Sequence, residues 1–191
     1  MTMKVFAVVL CVGSLVCSPL LTAGELKSGP QVGAKLPGPF QALTVLNAEK
    51  PDAAGKKADY VEEYGQNPVV LVVARMDSDA LRSLLERVNG EVARHKMDKK
   101  KVHALLVMLS DDDDLEQKLK DFAEKHRIKH VSLSTDSAAG PSEWRIADDA
   151  DVTVILYNRQ KVEANHAFAK GELNEKAIGT VIADLPKIIG N

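Results

Sequence analysis

The chain has 191 residues, 45% of them hydrophobic and 27% charged, with a formal net charge of −2. This length suits one domain plus a targeting segment and can bury a core without disulfide or metal staples. The charge balance argues against a nucleic-acid-binding surface, which carries a basic excess, and 4% aromatic content leaves the core to Val, Leu, Ile and Ala.

The amino terminus differs from the rest. Lys4 is the only charge before Glu25, an apolar run spans Val5 to Val16, and small residues end it at Ala23-Gly24. That pattern is a secretory signal peptide, expected over residues 1–23 with cleavage after Ala23 or Gly24. The run is short for a spanning helix, which needs roughly 20 apolar residues. An uncleaved anchor and a lipid-modified Cys17 are the alternatives, and the bulk of Val16 counts against the second. Both cysteines, Cys11 and Cys17, fall in this segment, so its removal leaves a cysteine-free chain. An extracytoplasmic location, periplasmic or secreted, follows, with no membrane association after cleavage.

Residues 24–39, rich in Gly, Pro and Lys, read as an extended lead-in, and the domain proper as 40–191. Phe40 to Leu46 reads as a strand, 47–55 as a loop and Lys57 to Tyr64 as a second strand. Val69 to Ala74 is continuously apolar, as suits a central strand buried on both faces. Asp77 or Ser78 can cap the next helix, in which Leu81, Leu84, Leu85 and Val88 recur at helical spacing before a basic end at 95–101. Val102 to Leu109 is the second buried strand. Leu115, Leu119, Phe122 and Ala123 share a helical face, and His130 to Leu133 reads as a short strand. Pro141 opens a short helix reaching Trp144, which is expected to cover core. Val152 to Tyr157, the turn 158–160 and Lys161 to Phe168 make a hairpin, and one helix closes the chain from about Asn174 to Ile189. The sum is an α/β domain, a mixed central sheet with helices on both faces.

Three stretches resemble redoxins: 32–40 (Val-Gly-Ala-Lys-Leu-Pro-Gly-Pro-Phe) their lead-in, 67–75 (Asn-Pro-Val-Val-Leu-Val-Val-Ala-Arg) the strand delivering the active-site loop, and 151–162 the closing hairpin. The chain thus resembles the thioredoxin-like superfamily, in its peroxiredoxin or redoxin branch, and the resemblance implies a thioredoxin-like fold. It also implies a nucleophilic thiolate at the amino end of the helix after the first buried strand, where amide dipoles lower its pKa. Arg75-Met76-Asp77-Ser78-Asp79 stands there, with no thiol. Val152 stands where the family has its cis-proline, and Asp59 and Glu62 where some relatives carry Cys-x-x-Cys.

Other chemistry is weakly signalled. Asp111 to Asp114 fit a helix amino end better than a calcium loop, lacking the glycine turn and terminal Glu. His95, His103, His126, His130 and His166 show no ligand spacing, and no triad, nucleophile elbow or phosphate loop is present. No catalytic, cofactor or metal site is expected. The leading expectation is an exported, non-catalytic thioredoxin-like domain that binds an unidentified protein or small molecule. The loop Arg75, Met76, Asp77, Ser78 and Asp79 and the adjacent loop 147–152, with Asp151 and Val152, would form its surface. The alternatives are a redoxin-type oxidoreductase working with a partner's thiols and a metal-binding protein using the aspartate run.

Overall fold

The computed structural model describes residues 26–98 and 101–190. The expected signal segment, with Cys11 and Cys17, lies outside the described residues.

The two continuous apolar runs become β3 (Val69–Ala74) and β4 (His103–Leu109), and every residue of both is buried. They pair in parallel, Val69 opposite His103, at the heart of a seven-stranded sheet. β5 (Ser132–Asp136) continues the parallel set beside β4. On that side β1 (Gln41–Leu46) and β2 (Lys57–Asp59) complete the sheet antiparallel. On the other side the hairpin β6 (Val152–Asn158) and β7 (Lys161–Phe168) pairs antiparallel with β3. The order is β2-β1-β5-β4-β3-β6-β7.

The helices are α1 (Tyr60–Tyr64), α2 (Asp79–Met97), α3 (Leu115–Lys125), α4 (Glu175–Asp184) and α5 (Pro186–Ile189). Alternate strand residues feed two cores. Val70, Val72 and Ala74 of β3 join Leu84 of α2, Leu119 of α3, Ile178 of α4 and Ile188 of α5. Val69, Leu71 and Val73 join Phe40, Tyr60, Tyr64 and Trp144. Helices therefore lie on both faces, but α2 to α5 share one. The crossovers from β3 to β4 and from β4 to β5 step the same way across the sheet, and crossovers of one hand then deposit their helices on one side. The opposite face holds α1 with Phe40, Tyr60, Tyr64, Trp144 and Tyr157, Phe40 standing edge-on to Trp144 at 4.7 Å.

Several elements differ from their sequence reading. The second strand stops at Asp59, whose carboxylate accepts from the amides of Val61 and Glu62 and starts α1 instead. Tyr60 and Tyr64, four apart, then sit on one helical face over β1 and β5, where Tyr60 Oη meets Ser134 Oγ at 2.6 Å. The third parallel strand is β5, starting at Ser132 rather than His130. Pro141 flanks a 3-10 turn, Ser142–Trp144, rather than opening it. The last helix divides at Leu185, because Pro186 lacks the amide that would continue the ladder. Asn174 caps α4 through the Ala177 amide, and Ser78 rather than Asp77 caps α2 through the Leu81 amide.

The lead-in is built into the fold. The amides of Gly33 and Leu36 donate to the carbonyls of Val162 and Gln160, and Val162 N donates back to Ala34, so this segment covers the open edge of β7. Ser28 is fully buried, its Oγ 2.6 Å from Thr153 Oγ1 and accepting from the Ala147 amide. Gly29 follows at φ +73, with Ile155 Cδ1 only 3.0 Å from where a Cβ would stand.

Candidate functional site

β3 and β4 both finish at the same end of the sheet, and the chain leaves β3 through Arg75. An arginine directly after an unbroken apolar strand must find partners close to the core. Here its amide donates to Asp151 O at 2.9 Å, so it extends the β3–β6 pairing by one residue. Its side chain is only 16% exposed and turns inward. Nε and Nη2 donate to the carbonyls of Ala147 and Ile146, both at 3.3 Å, and Nη1 to the carbonyl of Ala138. Asp148 pairs with it from outside at 3.2 Å, itself 99% exposed. One guanidinium thus joins three loops, those leaving β3 and β5 and the one entering β6, because its fixed fork can serve several acceptors at once.

The amino end of α2 opens beside this clamp. Ser78 Oγ accepts from Leu81 N at 3.1 Å. Asp77 and Asp79 flank it and both pair with Arg82. Met76 is 44% exposed, an unusual position for a large apolar side chain. Across the parallel strands, the aspartate run precedes α3. Asp114 sits at its start but makes no side-chain cap bond; Asp112 instead accepts from the Asp114 amide, and Asp111 from the Ala138 amide of the neighbouring loop. A hydrogen bond from Lys118 holds the Asp112 carboxyl below its ordinary range.

Between α2 and α3 lies a cleft of about 400 Å³. Leu81 and Leu85 form one wall, Leu115, Leu119 and Phe122 the other, with Leu106 and Met108 of β4 as floor. Met76, Arg82 and Lys118 stand at the mouth. Clefts beyond the carboxyl ends of parallel strands are where open α/β sheets take ligands.

The architecture has many solved counterparts. The chain is similar over 87% of its length, and 96% of the other's, to a Bacteroides thetaiotaomicron protein assigned as a disulfide isomerase, with a TM-score of 0.63 and 14% identity. It is similar to a secreted Mycobacterium tuberculosis disulfide oxidoreductase homologous to E. coli DsbE, at a TM-score of 0.54 and 12% identity, covering 76% of this chain and 93% of that one. A yeast mitochondrial 1-Cys peroxiredoxin matches at 0.52 and 13%, covering 84% and 76%. The fold is thioredoxin-like. No protein-family model and no curated protein matches the sequence.

Within the thioredoxin-like frame, the residues singled out from sequence separate into distinct roles. Arg75, Met76, Asp77, Ser78, Asp79 and the 147–151 loop do come together, with Arg75 as the joint. Met76, Asp77, Asp79 and Asp148 present exposed side chains; Ser78 is committed to its helix cap. Val152 does not belong on the surface. It is 3% exposed, packs in the core, and follows Asp151 as the first residue of β6. Asp59 caps α1, and its carboxylate also takes the Phe40 amide. Among the described residues, no group of three or more His, Asp or Glu side chains is gathered as a metal site would need. The sequence reading missed the cleft, since Leu115, Leu119 and Phe122 looked only like a core stripe, and it missed the clamp, although a charge closing a buried strand was a signal for it.

The opposite pole holds a second polar cluster. His103, at the start of β4, stacks on Tyr64 with ring centroids 4.4 Å apart and places Nδ1 3.1 Å from Glu49 Oε1. Lys96 reaches the same oxygen at 3.2 Å. Burial pushes the His103 pKa down, so the ring is held neutral, and its Nε2 is buried without a partner. Little space surrounds it, so this cluster is a packing arrangement rather than a ligand site.

Proposed function

We propose that the protein is an exported thioredoxin-like domain that binds a partner through the face formed by Arg75 to Asp79 and residues 147–151, and that performs no thiol chemistry of its own. One observation carries this reading. In the stretch where the redoxin resemblance puts a thiolate, Asp77, Ser78 and Asp79 occupy the helix amino end, the neighbouring Arg75 guanidinium is turned inward and bound to three carbonyl oxygens, and the chain has no cysteine after Cys17. A thiolate at a helix amino end is the nucleophile in this kind of redox chemistry, and here carboxylates flank that end. Export is supported by the leader from Lys4 to Ala23 and by the secreted status of the M. tuberculosis neighbour.

Insulin reduction and peroxide turnover, measured on the chain as the cell processes it, should show no rate above buffer. Turnover by that protein would overturn the reading in favour of an oxidoreductase. Its intact mass should begin at Gly24 or Glu25. Photo-crosslinkers at Met76 and Asp148 should capture a partner that one at Lys57, on the outermost strand β2, does not; equal capture from all three positions would remove the binding face.

A further inference from the structure

We infer that the cleft between α2 and α3 receives a large apolar side chain from a partner polypeptide whose flanking residues are basic. The inference rests on the binding reading above and names the chemistry of the partner. The cleft lies against the proposed face and shares Arg75, Met76 and Asp77 with it. Its walls are leucines and Phe122, its volume of about 400 Å³ is at the small end for ligand sites, and Met76 extends the apolar surface outward over the mouth.

Charge decides the occupant's flanks. Asp77, Asp79, Asp112, Asp113, Asp148 and Asp149 are all exposed around the face. The cations lining the cleft are already engaged: Arg75 is turned inward, Arg82 is held by Asp77 and Asp79, and Lys118 by Asp112. Asp113 has no ion pair among the described residues. A shallow acidic depression lined by Asp111, Asp112, Asp113 and Glu116 shares Ser110, Asp112 and Leu115 with the cleft and continues it. An acidic or neutral occupant would meet a surplus of like charge or leave it unanswered. A basic one answers it, and electrostatic complementarity of this kind selects among partners of equal apolarity.

The probe is a peptide with a Leu-Phe-Leu centre flanked by lysines, titrated into isotope-labelled protein and followed by NMR. Two control peptides carry glutamate flanks or a serine centre. The expected result is saturable shifts at Met76, Leu81, Leu119 and Phe122, with binding about tenfold weaker for either control. Raising the salt should weaken the lysine-flanked peptide only. Asp77→Asn combined with Asp112→Asn and Asp113→Asn should remove the preference for lysine over glutamate flanks, and Met76→Ser should weaken both. These positions are exposed and asparagine keeps the oxygen that takes the Asp114 amide, and unchanged amide dispersion away from the cleft checks that the variants fold. No shift in the cleft at millimolar peptide, or equal binding of lysine- and glutamate-flanked peptides, overturns the inference. Shifts confined to residues 147–151 also overturn it, while crosslinking from Met76 and Asp148 would still stand for the wider reading.

Discussion

Arg75 Nε donates to the carbonyl oxygen of Ala147 at 3.3 Å, across 72 positions of sequence. With the carbonyls of Ile146 and Ala138 it makes the guanidinium a side-chain strut between the loops leaving β3 and β5 and the one entering β6. Removing it strands three part-buried acceptors. Arg75→Met should therefore cost about 2–4 kcal/mol in urea unfolding, since each unsatisfied buried group costs about 1–3 kcal/mol before water enters. Asp148→Ala should cost less than about 1 kcal/mol, because its carboxylate is 99% exposed and an exposed ion pair contributes little. Amide exchange in the Arg75 variant should accelerate first at residues 138–151. Uniform acceleration would mean that the clamp is not local.

The lead-in should matter to stability as much as a core element. Ser28 Oγ accepts from the part-buried Ala147 N and meets the fully buried Thr153 Oγ1. Ser28→Ala leaves both partners short and should cost about 1–3 kcal/mol. A chain beginning at Phe40 should expose the β7 edge and associate, because unpaired edges recruit strands. Light scattering on that truncation checks it: a monodisperse monomer would show that residues 26–39 only decorate the sheet.

The centre of the sheet was legible in the sequence because β3 and β4 are continuous apolar runs, and the hairpin because the apolar run Val152 to Tyr157 and the more polar segment after it flank a short polar turn. The docking of the lead-in, α1 and the terminal break were not. Local propensity reads Lys57 to Tyr64 as strand, yet Asp59 at a helix cap and the burial of Tyr60 and Tyr64 four residues apart outweigh it. Gly- and Pro-rich residues 24–39 read as an extended lead-in, but its docking comes from hydrogen bonds to β7, more than a hundred residues away and beyond the reach of any local pattern. Arg75, Met76 and Asp77 could be placed at the sheet end from the strand they follow. That Arg75 points inward while Met76 points outward depends on carbonyls from two distant loops, which no local pattern records.

The hairpin turn carries strain that can be removed. Arg159 and Gln160 hold φ of +50 and +59, the left-handed pair that a two-residue hairpin turn requires and that side chains resist. Gln160→Gly should raise stability by about 0.5–1 kcal/mol, the relief in the turn exceeding the entropy glycine adds to the unfolded chain. The backbone oxygen of residue 160 still accepts from Leu36, so nothing else is lost. Thermal unfolding should shift upward by about 2–4 °C per kcal/mol for a domain of this size. A lower midpoint would mean that the glutamine side chain contributes something the turn geometry does not show.

His103 should make stability fall in mild acid. Burial lowers its pKa in the fold, opposed by Glu49 beside Nδ1, reinforced by Lys96, and opposed again by the more distant Glu63. Between the lowered folded value and the ordinary unfolded value near 6.5, the unfolded chain binds more protons, so stability rises with pH across that window. The contribution is fully present above the unfolded value and is lost as pH falls toward the folded one. His130 acts in the same direction, its pKa lowered by burial and by Lys96 and Lys129. Urea midpoints from pH 7.5 down to 5 should therefore decline in the parent protein, less in His103→Phe, which keeps a ring against Tyr64, and least when His130→Asn is added. An identical decline in all three would assign the acid sensitivity to carboxylates instead.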